Sequence, residues 1–148
     1  METRIENFTE SIKQKFDLKE VEAKIYSPLT LAYVGDGVYE LIIRTLLLNE
    51  GNAPVHKLHK KASAYVKAAT QAEMMTEIEQ QLTQEEMAVY KRGRNAKSYS
   101  SAKNATISEY RHATGFEALI GFLYLEGRYE RMMDLVKVGL ERLKENEI

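Results

Sequence analysis

The sequence predicts an all-α fold built as one domain. Apolar residues recur at the three-to-four spacing of helices, and helix start and stop signals bracket the apolar stretches. No run alternates β-branched with polar residues, and no Asn-Gly type of hairpin turn occurs. Ser27 followed by Pro28 reads as an N-cap with proline at the first helical position. It opens an apolar-rich helix, Leu29 to Leu48, that stops near Gly51. Pro54 opens a second helix, Val55 to Ala69, and a further helical stretch from Gln71 to Gln81 follows closely. Thr83 and Glu86 make the T-x-x-E capping box of a short helix ending near Gly93. The basic, polar segment Arg94 to Ala105 lacks apolar periodicity and reads as a loop. Ser108 is placed to cap a helix through Leu125, ended by Gly127, and an amphipathic helix runs from about Tyr129 to Lys144. Residues 1–25 read as an N-terminal helical extension of the same single domain, 1–148.

Composition excludes several function classes. A chain of 148 residues has the length of one domain with one core. The absence of cysteine rules out disulfides, thiolate metal sites and cysteine nucleophiles, and fits a reducing compartment. No apolar run approaches the ~18 residues that span a bilayer. The first ten residues lack the apolar region of a signal peptide, so a cytoplasmic, membrane-free protein is expected. The net charge of −1 is uninformative, but its distribution is not. Acids are absent from Gly51 to Ala72, which holds Lys57, Lys60, Lys61 and Lys67. They are absent again from Lys91 to Ser108, which holds Lys91, Arg92, Arg94, Lys97 and Lys103. These segments are either phosphate-binding surfaces or solvated faces.

Two helices carry residues that packing alone does not explain. Asp36 stands between Gly35 and Gly37 inside the first apolar helix, where each glycine costs about 1 kcal/mol relative to alanine. Two glycines beside a carboxylate leave room for a backbone or a ligand to approach. The competing reading is a tight helix crossing with an exposed aspartate. Glu117 is the lone acid within Thr114 to Leu125, an otherwise apolar stretch. A buried carboxylate requires a cation, a strong donor or a metal, so an ion pair with Arg44 or Arg111 competes with a metal site. Facing each other, Asp36 and Glu117 would offer hard oxygen ligands of the kind that hold Mg²⁺ together with waters and substrate phosphate. Other catalytic patterns are missing. His56, His59 and His112 form no metal motif, and there is no nucleophile elbow, phosphate-binding glycine loop or dinucleotide fingerprint. The aromatics, mostly tyrosines at helical spacing, suit a core or a dimer surface.

Leu31 to Val38 resembles the signature helix of the ribonuclease III family, with Val34, Gly35 and Asp36 in place of its Leu-Gly-Asp. Phe116-Glu117-Ala118-Leu119-Ile120-Gly121 is similar to the family's second motif. Ala32 to Asp36, Leu58-His59-Lys60-Lys61 and Lys91-Arg92-Gly93-Arg94-Asn95-Ala96-Lys97 extend the resemblance to the bacterial Mini-III branch, over roughly Leu29 to the C-terminus.

The resemblance implies an all-α endonuclease domain that dimerises and cuts both strands of an RNA duplex with Mg²⁺. It implies Asp36 and Glu117 as catalytic and metal-binding residues, and maturation of the 23S ribosomal RNA precursor as the task. Without a separate RNA-binding domain, Lys91, Arg92, Arg94, Lys97 and Lys103, extended by Lys60 and Lys61, are the candidates for gripping the duplex. Ribonuclease III typically carries two more carboxylates, at positions held here by Ala32 and Thr114, a pattern the Mini-III branch shares. That leaves the number of bound metals open and implies weaker metal binding. Glu40, one turn beyond Asp36, either helps to orient water at the site or is a solvated or salt-bridged surface residue. The rival reading is a catalytically inactive domain of the same fold that binds structured RNA or a ribosomal partner.

Overall fold

The structure, a computed structural model, describes residues 4–97 and 105–145, with side chains from Phe8 onward. Among these residues it contains seven α-helices, two short 3₁₀ turns and no strand. The helices are α1 (Arg4–Lys15), α2 (Pro28–Asn49), α3 (Val55–Val66), α4 (Ala68–Ile78), α5 (Gln84–Asn95), α6 (Ile107–Leu125) and α7 (Tyr129–Glu145). None is long and apolar enough to cross a membrane.

The arrangement follows from α6. Its apolar residues lie all round the helix, so it must be surrounded. From Ala113 to Leu123 every residue but Glu117 is buried. α2, α5 and α4 pack around α6, and α7 closes the far side against α4. The core comprises Leu31, Tyr39 and Ile43 of α2, Met74, Met75 and Ile78 of α4, Phe116, Leu119 and Phe122 of α6, and Leu135 of α7. The Tyr39 ring meets Phe116 edge-on at 5.0 Å, and its hydroxyl donates to the Tyr65 carbonyl at 2.8 Å.

Predicted caps and observed caps agree at two of three ends. The Ser27 hydroxyl accepts from the Thr30 N–H at 3.3 Å, with Pro28 at the start of α2. Thr83 and Glu86 form the capping box of α5. Glu86 is nearly fully buried and also receives two bonds from Arg131, at 2.9 and 2.8 Å, which tie α5 to α7. The third end differs. Thr106, not Ser108, caps α6, because Glu109 stands three residues after it and completes a reciprocal box.

Two boundaries also move. The predicted helix Val55 to Ala69 breaks at Lys67, whose extended backbone (φ −68°, ψ 153°) turns the chain into α4. The expected loop from Arg94 begins later, since α5 continues through Asn95. Residues 98–104, including Lys103, lie outside the described residues.

Candidate active site

Asp36 and Glu117 come together where α2 crosses α6. The crossing is close because of Gly35. A Cβ on that residue would lie 1.8 Å from the Glu117 carbonyl oxygen and 2.8 Å from the Gly121 nitrogen. Gly37 has open space where its Cβ would be, so only one of the two glycines flanking Asp36 is required by packing within the chain. Asp36 follows the contact glycine and projects to the exposed side of α2. Glu117 lies one turn before Gly121 and is half-buried. The helix crossing expected as the alternative to a ligand site is therefore real, and it is also what brings the two carboxylates together.

The electrostatics of the pair point to a cation. Burial pushes the Glu117 carboxyl up to about 8, aided by the Asp36 charge and a hydrogen bond shared with Asp36, and by the charge of Glu40. Gln71 acts in the opposite direction, its amide donating to Glu117 Oε2 at 3.5 Å. Among the described residues neither Arg44 nor Arg111 pairs with Glu117. Arg44 lines a separate groove with Val55 and Leu58, and Arg111 is exposed. The ion-pair alternative is therefore overturned. Glu40 stands near enough for its charge to be felt at Glu117.

Both carboxylates open into a cleft of about 280 Å³ between α2, the α3–α4 junction and the first half of α6. Ala32 and Thr114, at 7% and 8% exposure, line it, so the two positions where the family carries additional acids do face the site. The Thr114 hydroxyl donates to the Tyr110 carbonyl at 3.0 Å, one turn back on its own helix. No group of three or more His, Asp or Glu side chains is placed to hold a metal among the described residues. The donor set is thus two hard carboxylates in mutual repulsion. This suits Mg²⁺, which retains waters and takes further oxygens from a substrate phosphate. The residues fit that ion.

Gln71 was missed from the sequence. The available signal was its place in one apolar stripe with Met74, Met75 and Ile78, where an amide has no packing reason to be.

The basic residues divide. Lys91, Arg92 and Lys97 are exposed, at or just beyond the end of α5, and none lines the cleft. Arg94 is half-buried with its guanidinium 5.7 Å from the Tyr90 ring centroid, a cation–π contact. This end of α5 is held against α6 at Gly93, where a Cβ would lie 2.8 Å from Ala118 Cβ and 3.2 Å from the Thr114 carbonyl oxygen. The basic end of α5 is therefore anchored one turn from Glu117 along α6. Lys57, Lys60 and Lys61 are exposed on α3, and Lys61 lies 3.7 Å from Glu50. Of the histidines, His56 and His59 are exposed on α3, while His112 bonds the buried Tyr90 hydroxyl through Nδ1.

Comparison with known proteins agrees with this geometry. A family model described as the ribonuclease III domain matches residues 29–128. Mini-ribonuclease 3 of Clostridium tetani is 47% identical over 133 residues, covering 89% of this chain and 85% of that protein. Mini-ribonuclease 3 of Brevibacillus brevis is 48% identical, covering 78% of this chain and 87% of the relative. A crystal structure of a Fusobacterium nucleatum protein superposes with a TM-score of 0.75 at 30% identity, covering 82% of this chain and 99% of that one.

Proposed function

This chain belongs to the ribonuclease III family, among relatives that are Mini-ribonuclease 3 proteins, and we propose that it is a Mg²⁺-dependent endoribonuclease that cuts double-stranded RNA. The observation that carries the reading is the Asp36–Glu117 pair, two carboxyls brought together by a helix crossing and opening into a cleft. Asp36 and Glu117 would hold the ion. When bound, Mg²⁺ supplies Lewis-acid polarisation of the phosphodiester. Asp36, on the exposed side, meets the incoming phosphate backbone. Glu117, deeper in the cleft, has its carboxyl raised by burial, and a cation held there would favour its charged form. The apolar wall behind it, with Tyr39 and Phe116, limits the water that would otherwise screen these charges.

Substrate and assembly follow from the same surfaces. A-form RNA is recognised through shape, 2′-hydroxyls and phosphates. Lys91, Arg92, Arg94 and Lys97 form the proposed grip, continued by Lys60 and Lys61, with Lys103 on the same basic segment. Leu29, Tyr33, Leu41 and Leu48 are exposed apolar residues of α2, with Tyr33 80% exposed, and Leu29 and Tyr33 also border the cleft. Such residues suit a two-fold homodimer that presents one cleft to each strand of a duplex. Maturation of 23S ribosomal RNA precursor ends, in the cytoplasm, is the proposed task.

The second reading is an inactive RNA-binding domain, favoured by the donor set of only two carboxylates beside Ala32 and Thr114. Incubating the pure protein with a long RNA duplex, with and without Mg²⁺, separates the two. Short duplex products that require Mg²⁺ support the enzyme. Retained binding with no cleavage at any Mg²⁺ concentration supports the inactive domain.

A further inference from the structure

Gln71 is a long side chain with an amide at its tip, carried on the first turn of α4, and only 1% of it is exposed. Its neighbours along that face of α4 are Met74, Met75 and Ile78, all in the core. Burying an amide among such residues is unfavourable unless it is bonded. The bond it makes is to Glu117, Nε2 to Oε2 at 3.5 Å, across the packing of α4 on α6. Gln71 also lines the same cleft as Asp36 and Glu117. The Gln71 amide is a donor aimed at the Glu117 carboxylate from behind, across the α4–α6 packing. At 3.5 Å the bond is at the long end of the range.

We propose that Gln71 is a positioning residue for the metal site, its amide holding the Glu117 carboxylate turned into the cleft so that it can ligate the ion together with Asp36. This rests on the metal-dependent reading above. Its physical basis is that the groups behind a ligand fix its orientation, and removing one typically lowers metal affinity or activity by roughly 10–100-fold. Met is the appropriate replacement, because it keeps the volume and unbranched shape of Gln while removing the donor. Glu is the second, because it keeps the shape, removes the donor and adds a third carboxylate beside the pair.

The test compares the parent with Gln71→Met and Gln71→Glu in two measurements. The first is Mn²⁺ binding to the protein without RNA, followed by the paramagnetic signal of the free ion. The second is cleavage of a short RNA duplex across RNA and Mg²⁺ concentrations. Gln71→Met is expected to weaken Mn²⁺ binding and lower kcat by at least tenfold while the KM for RNA stays within twofold. Gln71→Glu, which also lacks the donor, is expected to lower kcat at saturating Mg²⁺ by at least tenfold as well, even where its added carboxylate changes the Mn²⁺ affinity. A purely structural Gln71 would move thermal stability and leave the Mn²⁺ affinity and the kcat of the folded protein unchanged, and that result overturns the proposal. Should Gln71→Met fail to fold, an unchanged kcat in Gln71→Glu overturns it equally, because that variant also lacks the donor. A parent that neither binds Mn²⁺ nor cleaves the duplex would instead defeat the functional reading itself, so the two failures are distinguishable.

Discussion

Gly35 and Gly121 face each other across the α2–α6 crossing with no room for a side chain on either. A Cβ on Gly121 would lie 2.0 Å from the Leu31 carbonyl oxygen and 3.0 Å from the Gly35 nitrogen, and one on Gly35 would strike the Glu117 carbonyl. The obstructing atoms are backbone, so the helices must separate to admit a methyl group. Gly35→Ala and Gly121→Ala should each destabilise the fold by about 1–3 kcal/mol, the usual range for overpacking. Urea unfolding measures this. Cleavage should fall further than stability alone accounts for, because separating the helices also separates Asp36 from Glu117. A folded Gly35→Ala protein with parental activity would show that the crossing does not set the site.

The carboxylates should trade stability for function. Asp36→Asn and Glu117→Gln keep side-chain shape and remove one carboxyl from the pair. Both should lower cleavage by orders of magnitude while leaving duplex binding intact. Asp36→Asn should also raise the unfolding temperature in chelator, as expected when a strained site is relieved, and Glu117→Gln should do so as pH rises towards 8, where the parent carboxyl becomes charged. A drop in stability for Glu117→Gln, with activity retained, would reassign Glu117 to a structural role.

The pH dependence has a definite sign. Glu117 is raised to about 8 in the folded protein from the ordinary 4.5 of a glutamate, so between these values the folded state holds a proton that the unfolded chain has released. Stability contributed by this group is present below the lower value and is lost as pH rises towards 8. Glu85 and Glu86 shift the other way, lowered first by hydrogen bonds from Arg128 and Arg131 respectively, and their contribution is lost as pH falls below the ordinary carboxylate range. The two windows therefore do not overlap. Unfolding temperature in chelator should decline between about pH 5 and 8, and Glu117→Gln should flatten that decline. Added Mg²⁺ should stabilise the protein more at pH 8 than at pH 6, with proton release detectable by calorimetry in buffers of different ionisation enthalpy.

Assembly is tested on the exposed side of α2. Leu41 is 58% exposed and lies two turns before Leu48, which is 60% exposed. Leu41→Lys should give a folded monomer by light scattering, with parental helix content and reduced duplex cleavage. A dimer that survives the substitution would place the interface elsewhere.

The basic end of α5 is tested through salt. Replacing Lys91, Arg92 and Lys97 with alanine should weaken RNA binding. It should also flatten the log–log salt dependence by up to about 0.9 for each phosphate no longer neutralised, the B-DNA value. Arg94→Ala should add a small loss of stability by removing the guanidinium from the Tyr90 ring. An unchanged salt slope in the triple variant would leave these residues as solvated surface.

The helices and most of their ends are written locally in the chain, because caps, prolines and apolar spacing act over three or four residues. Ser27 with Pro28 and Thr83 with Glu86 are legible for that reason. Asp36 and Glu117 stand out in the same way, since acids in apolar helices conflict with their surroundings. Where two local signals compete, the sequence misleads: Ser108 rivals Thr106 as a cap, and the turn at Lys67 carries no glycine or proline to mark it. Three features emerge only from packing: which glycine matters, that no arginine among the described residues neutralises Glu117, and that Gln71 reaches it from α4. The physical reason is common to all three. They depend on the distance between helices far apart in the chain, and that distance is set by how α2, α4 and α5 pack around α6, which no local pattern encodes.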